Sequence, residues 1–231
     1  MPNLLADRIF DSLWKEYAPA YSRILPMISF YAETVDLMVN AVDGSRRVLD
    51  LGCGPGIIAG RLAKKDHKVI ATDNDKTMIE YTGQRLANYP NVNVIQQDVH
   101  SLVFGNETFD GIVCNNVIYY VHDPLKVLQE SYRVLKSSGK LAVTGPRPNP
   151  DLDLLFQTMI RDLEAKGVLD KFSKEIEVIK ACNRFLAEKS MRNVYSNADL
   201  EQVLLADVGF SEILVSRGCY LSQSYFILAQ K

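Results

Sequence analysis

The pattern of apolar and polar positions changes character three times along the chain. Across residues 4–42, Phe10, Leu13, Trp14, Tyr17, Tyr21, Ile24, Leu25 and Ile28 recur at spacings of three and four, which marks one apolar helix face. Proline fits a first helical turn but not an interior. Pro19 therefore predicts a helix ending near Tyr17 and then a loop, and Pro26 predicts a second break before a helix from about Met27 to Val42. Asp43-Gly44-Ser45 supplies the stop. From residue 46 short apolar runs alternate with helical periods. Strands are predicted at 47–51, 68–72, 91–96, 109–114 and 140–145, with helices at 57–65, 75–87 and 123–135. Ser138-Gly139 reads as the turn before the fifth strand and Pro146 as its end. Such alternation predicts a parallel sheet with right-handed crossovers and helices on both faces.

Residues 150–190 interrupt that rhythm. Leu152, Leu155, Phe156, Met159, Ile160 and Leu163 keep a helical spacing, as do Phe172, Ile176, Ile179, Cys182, Phe185 and Leu186. Two helices inserted after the fifth strand are expected. Asn197 caps a further helix to about Asp207, and 211–216 and 220–229 read as closing strands joined by a turn at Arg217-Gly218. A connection that short implies an antiparallel pair.

Composition narrows the class. With 47% hydrophobic and 23% charged residues in 231, the chain can pack a core as one domain. A net charge of -2 without a long basic run argues against a nucleic-acid partner. No apolar run approaches the roughly 20 residues of a membrane span, and the first eight residues lack the basic and long apolar segments of a signal peptide; the expected compartment is the cytoplasm. Cys53, Cys114, Cys182 and Cys219 form no C-x-x-C pair. They are expected as reduced thiols, with no zinc site.

The chemistry gathers around Val48-Leu49-Asp50-Leu51-Gly52-Cys53-Gly54-Pro55-Gly56. A strand runs into glycines at alternate positions, and a helix follows. Such a turn lets backbone approach a ligand closely, because no side chain intervenes. The dinucleotide pattern would need glycine at 57, where this chain has Ile57. Asp73 ends the second strand 21 positions after Gly52 (73 − 52). An acidic residue there can accept the ribose hydroxyls of an adenosine, or cap the next helix. Asp75, before Lys76-Thr77-Met78, is the better cap, which leaves Asp73 for ribose. Asp98, just past the third strand, is a candidate acceptor for an adenine amino group. The segment from Cys114 to Pro124 follows the fourth strand. It lies where open parallel sheets bind ligands, at the carboxyl ends of strands beside the point of order reversal.

These residues together resemble the class I S-adenosylmethionine-dependent methyltransferases of the small-molecule type, methyltransferase domain 11 or 25. The motifs that carry the likeness are the glycine segment 48–56, Ala71-Thr72-Asp73, Gln97-Asp98-Val99, Phe109-Asp110 through Asp123-Pro124 to Arg133-Val134-Leu135-Lys136, and Ala206-Asp207-Val208-Gly209-Phe210. The resemblance implies an α/β, Rossmann-like seven-stranded sheet of order 3-2-1-4-5-7-6 with strand seven antiparallel. It implies four regions in a single domain: a helical cap at 1–45, a cofactor-binding core at 46–149, a helical lid at 150–190, and a closing helix and strands at 191–231. It also implies roles. Gly52, Cys53 and Gly54 pass under the methionine part of S-adenosylmethionine, Gly56 is counted with them as cofactor-binding, and Asp50, or water held by it, lies near its amino group. Asp73 takes the ribose, with Asn74 and Met78 near the adenine. Asp98 and the backbone of Val99 meet the adenine edge, and the Asn115 carbonyl accepts the ammonium. Trp14-Lys15-Glu16-Tyr17-Ala18-Pro19-Ala20-Tyr21 resembles a W-x-x-x-A-x-x-Y lead-in whose last tyrosine reaches the cofactor, here Tyr21.

The chain departs from the family where histidines are common: it carries Tyr119-Tyr120 there, and His122 where proline is common. Tyr119 and His122 are the catalytic candidates. Trp14, Tyr17, Tyr120, Arg147 and Phe156 are the substrate candidates, Arg147 as a partner for a carboxylate. The aromatic side chains of the cap and lid favour an apolar or aromatic small molecule. Methyl transfer from a sulfonium needs alignment more than acid or base, and Asn115-Asn116 are neutral, so no metal is expected. A protein of this fold that uses the cofactor for cyclisation, or that only binds it, is the alternative. A monomer or homodimer is expected.

Overall fold

The computed structural model describes residues 4–189 and 193–231, with side chains for 14–188 and 193–231. The side chains of Phe10 and Leu13, the first three residues and the end of the predicted lid at 190 lie outside that description.

Seven strands form one sheet: β1 (Arg47–Leu51), β2 (Lys68–Asp73), β3 (Val92–Gln96), β4 (Phe109–Asn115), β5 (Leu135–Pro146), β6 (Glu212–Cys219) and β7 (Ser224–Gln230). Their order is β3-β2-β1-β4-β5-β7-β6. The first five run parallel, and β7 is antiparallel to both β5 and β6. The central strand is buried on both sides. Val48 packs into a core with the N-terminal helices, while Leu49 and Leu51 pack into a second core on the opposite face. That division follows from the two-residue period of a strand.

The helices are α1 (Leu4–Ile24), α2 (Ser29–Ala41), α3 (Ile57–Ala63), α4 (Lys76–Arg85), α5 (Pro124–Val134), α6 (Leu152–Ala165), α7 (Ser173–Lys189) and α8 (Asn197–Gln202). One prediction fails at the start. The first helix does not stop near Tyr17 but runs through Pro19 to Ile24. A proline inside a helix forfeits one hydrogen bond and costs about 3 kcal/mol. Here Tyr17, Ala18, Ala20 and Ile24 are all buried on the continuous helix, so packing outweighs the loss. Pro26 does break the chain, opening a single tight turn at Leu25–Met27 before α2.

Three further boundaries move. Ser138, with φ +63°, and Gly139 make an irregularity inside β5 rather than a turn before it. Ser196, not Asn197, caps α8: its hydroxyl accepts from the Asp199 amide while the Asp199 carboxylate accepts from Ser196 N–H. The hairpin between β6 and β7 turns at Tyr220, Leu221 and Ser222, all with positive φ, and not at Arg217-Gly218. Gly218 stays in the ladder opposite Tyr225. It is needed there because a Cβ would meet Ser222 Oγ at 2.9 Å as the turn folds back.

The insert packs onto the first helix. Tyr17 donates to Asn183 Oδ1 (3.2 Å), Arg23 pairs with Glu175, and Asp162 accepts from both the amide and the hydroxyl of Ser29 (2.7 and 2.8 Å). α1, α6 and α7 therefore roof the carboxyl ends of β1 and β4.

Candidate active site

Beneath that roof is a cavity of about 1170 Å³, partly open to solvent. Its floor is the glycine turn. Cys53 N–H donates to the Thr72 carbonyl (2.8 Å), and Gly54 N–H donates to Asp73 Oδ2 (2.9 Å). The Gly54 carbonyl accepts from Thr82 Oγ1 (2.6 Å), and the Gly56 carbonyl from Arg85 Nη1 (2.8 Å). The turn is thus clamped from α4, and two of its glycines have distinct steric reasons. Gly54, at φ +49°, faces open space in the cavity, so a side chain would occupy ligand volume. Gly52, at φ +71°, would drive a Cβ to 2.4 Å from Val117 Cγ2.

Two carboxylates lie under the turn. Asp73 bridges the loops: besides meeting Gly54, its carboxylate accepts through Oδ1 from Asp75 N–H (3.0 Å). Burial raises its pKa, and the amides of Asp75 and Gly54 pull it partly back. Asp75 caps α4 by accepting from Met78 N–H (2.9 Å), as the spacing predicts. Asp50 is deeper. Burial, opposed by a hydrogen bond from the Ala59 backbone and aided by the nearby charge of Asp73, raises its pKa to about 7. Its Oδ2 is buried without a hydrogen-bond partner among the described residues.

At one end of the cavity Asp98 accepts from His100 N–H (2.9 Å), and His100 Nδ1 lies 2.7 Å from the same oxygen. These contacts lower its pKa, although its side chain is 62% exposed. The His100 ring stacks on His122 with centroids 3.8 Å apart. His122, read from sequence as a catalytic candidate, is therefore grouped with Asp98. Asn115 Oδ1 accepts from Thr144 Oγ1 (2.7 Å) and from Tyr220 (3.5 Å), and Asn116 Nδ2 donates to the Tyr220 hydroxyl (3.3 Å).

Every cofactor candidate lines this one cavity except Gly56: Tyr21, Asp50, Gly52, Cys53, Gly54, Asp73, Asn74, Met78, Asp98, Val99 and Asn115. So do Tyr119, His122, Trp14, Tyr17, Tyr120 and Phe156. Gly56 instead faces Thr82 and Leu86. Arg147 is not in the lining; its guanidinium is held by Asn197 Oδ1 (3.1 and 2.6 Å) and the Ser222 carbonyl (3.1 Å). Burial pushes the Tyr119 phenol up to about 12. Tyr31, Asn183 and Tyr220 are lining residues that sequence reasoning missed. Tyr31 and Asn183 lie on the predicted cap and lid helices but outside the apolar periodicity that marks their faces, and Tyr220 falls in a predicted strand.

The comparisons agree with this geometry. Residues 49–143 match the family described as methyltransferase domain. An uncharacterised 37.1 kDa protein in transposon TN4556 of Streptomyces fradiae is 32% identical over 212 residues, covering 90% of this chain and 56% of that protein. Several curated relatives are likewise matched over 56% of their own length, so the chain spans a little over half of them. Among solved structures, a SAM dependent methyltransferase from Aquifex aeolicus superposes with a TM-score of 0.60 at 19% identity, covering 89% of this chain and 91% of that one. The 1,6-didemethyltoxoflavin-N1-methyltransferase of Burkholderia thailandensis, solved with 1,6-didemethyltoxoflavin and S-adenosylhomocysteine, gives 0.66 at 14% identity, covering 100% and 90%. At such identities the structural likenesses concern the fold. Residues 49–143 thus match a methyltransferase domain, and the solved methyltransferase structures share the fold of the chain.

Proposed function

We propose that the protein transfers a methyl group from S-adenosylmethionine to O, N or C of a small, apolar or aromatic molecule, without a metal. The observation that carries this reading is one cavity in which the glycine turn, the buried Asp50 and the half-buried Asp73 meet an aromatic roof. The residues fit the cofactor. The unpartnered Oδ2 of Asp50 suits the ammonium, Asp73 the ribose, and the open space before Gly54 the methionine chain. When bound, the cofactor supplies a methyl on an activated sulfonium leaving group. The protein's own part is to hold the acceptor in line and keep water out, which can supply much of the acceleration. The bonds from α1 and the start of α2 to α6 and α7 support a roof over the cavity.

Titration calorimetry with S-adenosylmethionine and with NAD tests the cofactor, and the former alone should bind. Asp73→Ala should weaken that binding roughly 10- to 100-fold, the order of one or two lost charge-assisted hydrogen bonds. Unchanged affinity would remove Asp73 from the site. Mass analysis of products across a metabolite panel separates methylation from cyclisation or from binding alone.

A further inference from the structure

Six aromatic rings run unbroken along the cavity's N-terminal wall. Trp14 to Tyr17 is 5.5 Å between centroids, Tyr17 to Tyr21 5.2 Å, Tyr21 to Tyr31 5.3 Å, Tyr31 to Tyr220 6.2 Å, and Tyr220 to Phe30 5.7 Å. All six line the cavity. Their hydroxyls are already committed within the protein: Tyr17 to Asn183, Tyr21 to Tyr31, and Tyr220 to Asn115. What the wall offers a ligand is therefore mainly π surface.

The charged and titratable residues that line the cavity, phenols and thiol aside, are Asp50, Asp73, Asp75, Asp98, His100 and His122 among the described residues. Asp50 stands in β1 just before the glycine turn, Asp73 ends β2, Asp75 caps α4, and the two histidines stack beside Asp98. Asp50 is the carboxylate that borders the rings, and its charge reaches Tyr31. Among the described residues no lysine or arginine joins them, because Arg147 is held by Asn197 outside the lining. The roof adds Asn183 and apolar side chains such as Phe156 and Met159.

From this arrangement we infer that the methyl acceptor is an amine nitrogen, received as the free base and released as an ammonium ion held against the aromatic wall. The inference rests on the proposed methyl transfer. A hydroxyl or an acidic carbon must lose a proton. The wall's phenols are buried and pushed up, the neighbouring asparagines are not bases, the two histidines stack beside Asp98, and Asp50, which borders the rings, is the carboxylate that the proposed function gives to the cofactor's ammonium. A carboxylate or phosphate would find no cation. An amine needs neither. Its lone pair forms the N–C bond as the S–C bond breaks, positive charge passes from sulfur to nitrogen, and no proton moves in the step. The charge then lies beside ring faces, which attract cations most strongly where water is excluded.

Trp14 is the only tryptophan in the chain and lies in this wall, so its fluorescence reports on the site. The experiment first establishes S-adenosylhomocysteine binding by calorimetry. The loaded protein is then titrated with phenyltrimethylammonium, with its neutral isostere tert-butylbenzene, and with benzoate. The ammonium should bind about tenfold more tightly than the isostere, as expected of a few cation–π contacts, and benzoate should be weakest. Tyr220→Phe, which keeps the ring, should retain the preference, and Tyr220→Leu should reduce it. Equal binding of ammonium and isostere, tighter binding of benzoate, or no saturable binding of the ammonium would overturn the amine assignment while leaving the cofactor reading intact. Failure of S-adenosylhomocysteine to bind would overturn both.

Discussion

Asp50 is a buried carboxylate whose Oδ2 has no hydrogen-bond partner among the described residues, and its replacement by asparagine separates stability from binding. The folded protein holds the Asp50 proton up to about pH 7, against 3.8 for an ordinary aspartate. Each unit of such a shift is worth ~1.4 kcal/mol, so the penalty for ionising this group in the fold reaches roughly 4 kcal/mol. The sign follows from proton binding. Between the two pKa values the native state holds more protons than the unfolded chain, so stability falls as pH rises, and the loss is complete above about 7. An asparagine in its place carries no such penalty, and its side-chain oxygen can still accept from Ala59. Asp50→Asn should therefore match the wild type near pH 4 and exceed it increasingly up to pH 8. At roughly 2–4 °C per kcal/mol for a chain of this size, the difference approaches about 8–15 °C. The same variant should bind S-adenosylmethionine at least about tenfold more weakly, since the charge-assisted contact proposed for Asp50 with the ammonium would be lost. Thermal denaturation of both proteins from pH 4 to 8, with calorimetric affinities, checks both halves. A stability difference that does not change with pH, or a variant less stable at pH 8, would refute the assignment of Asp50 as a strained carboxylate.

Other expectations concern single contacts. Gly52→Ala should lose about 2 kcal/mol or more, because a 2.4 Å clash with Val117 adds to a left-handed backbone; Val117→Ala in the same chain should recover the steric part only, as read by urea denaturation. Glu130, whose side chain is 10% exposed, accepts from Arg133 and from Leu102 N–H, and its pKa is lowered to about 2. Its contribution is present above the usual glutamate range near 4.5 and is lost as pH falls through about 2, so Glu130→Gln should flatten that acid limb of the stability curve. Arg147→Ala should loosen the link between α8 and the β6–β7 turn, with a lower melting temperature but an unchanged KM for any acceptor. A KM that rises selectively for acidic acceptors would return Arg147 to the substrate site.

Local signals were enough for the turn and for the cap of the helix that follows β2. Gly52, Gly54 and Gly56, the spacing to Asp73 and the cap at Asp75 are short-range features, because a strand-to-helix turn is built from adjacent residues. Failures came where distant parts decide. Pro19 reads as a helix end until the burial of Ala18, Ala20 and Ile24 against the body of the protein is known. Gly218 reads as a turn residue, whereas it makes room for Ser222, three residues after the hairpin's last paired position on β6. Arg147 reads as free to meet a ligand until Asn197, 50 residues on, is found beside it.

The chain's own pattern determined the alternation of strands and helices, the glycine turn and the acidic residue that ends β2, since each depends on periodicity or on neighbours in sequence. Only the tertiary structure decided which side chains face one another across the cavity. It brought Tyr31 from α2 and Tyr220 from the last hairpin into one wall with Trp14, Tyr17 and Tyr21 of α1. It also set His122 on His100 beside Asp98. Contacts of that kind join residues up to about two hundred positions apart, and packing makes them, with no periodic trace along the chain.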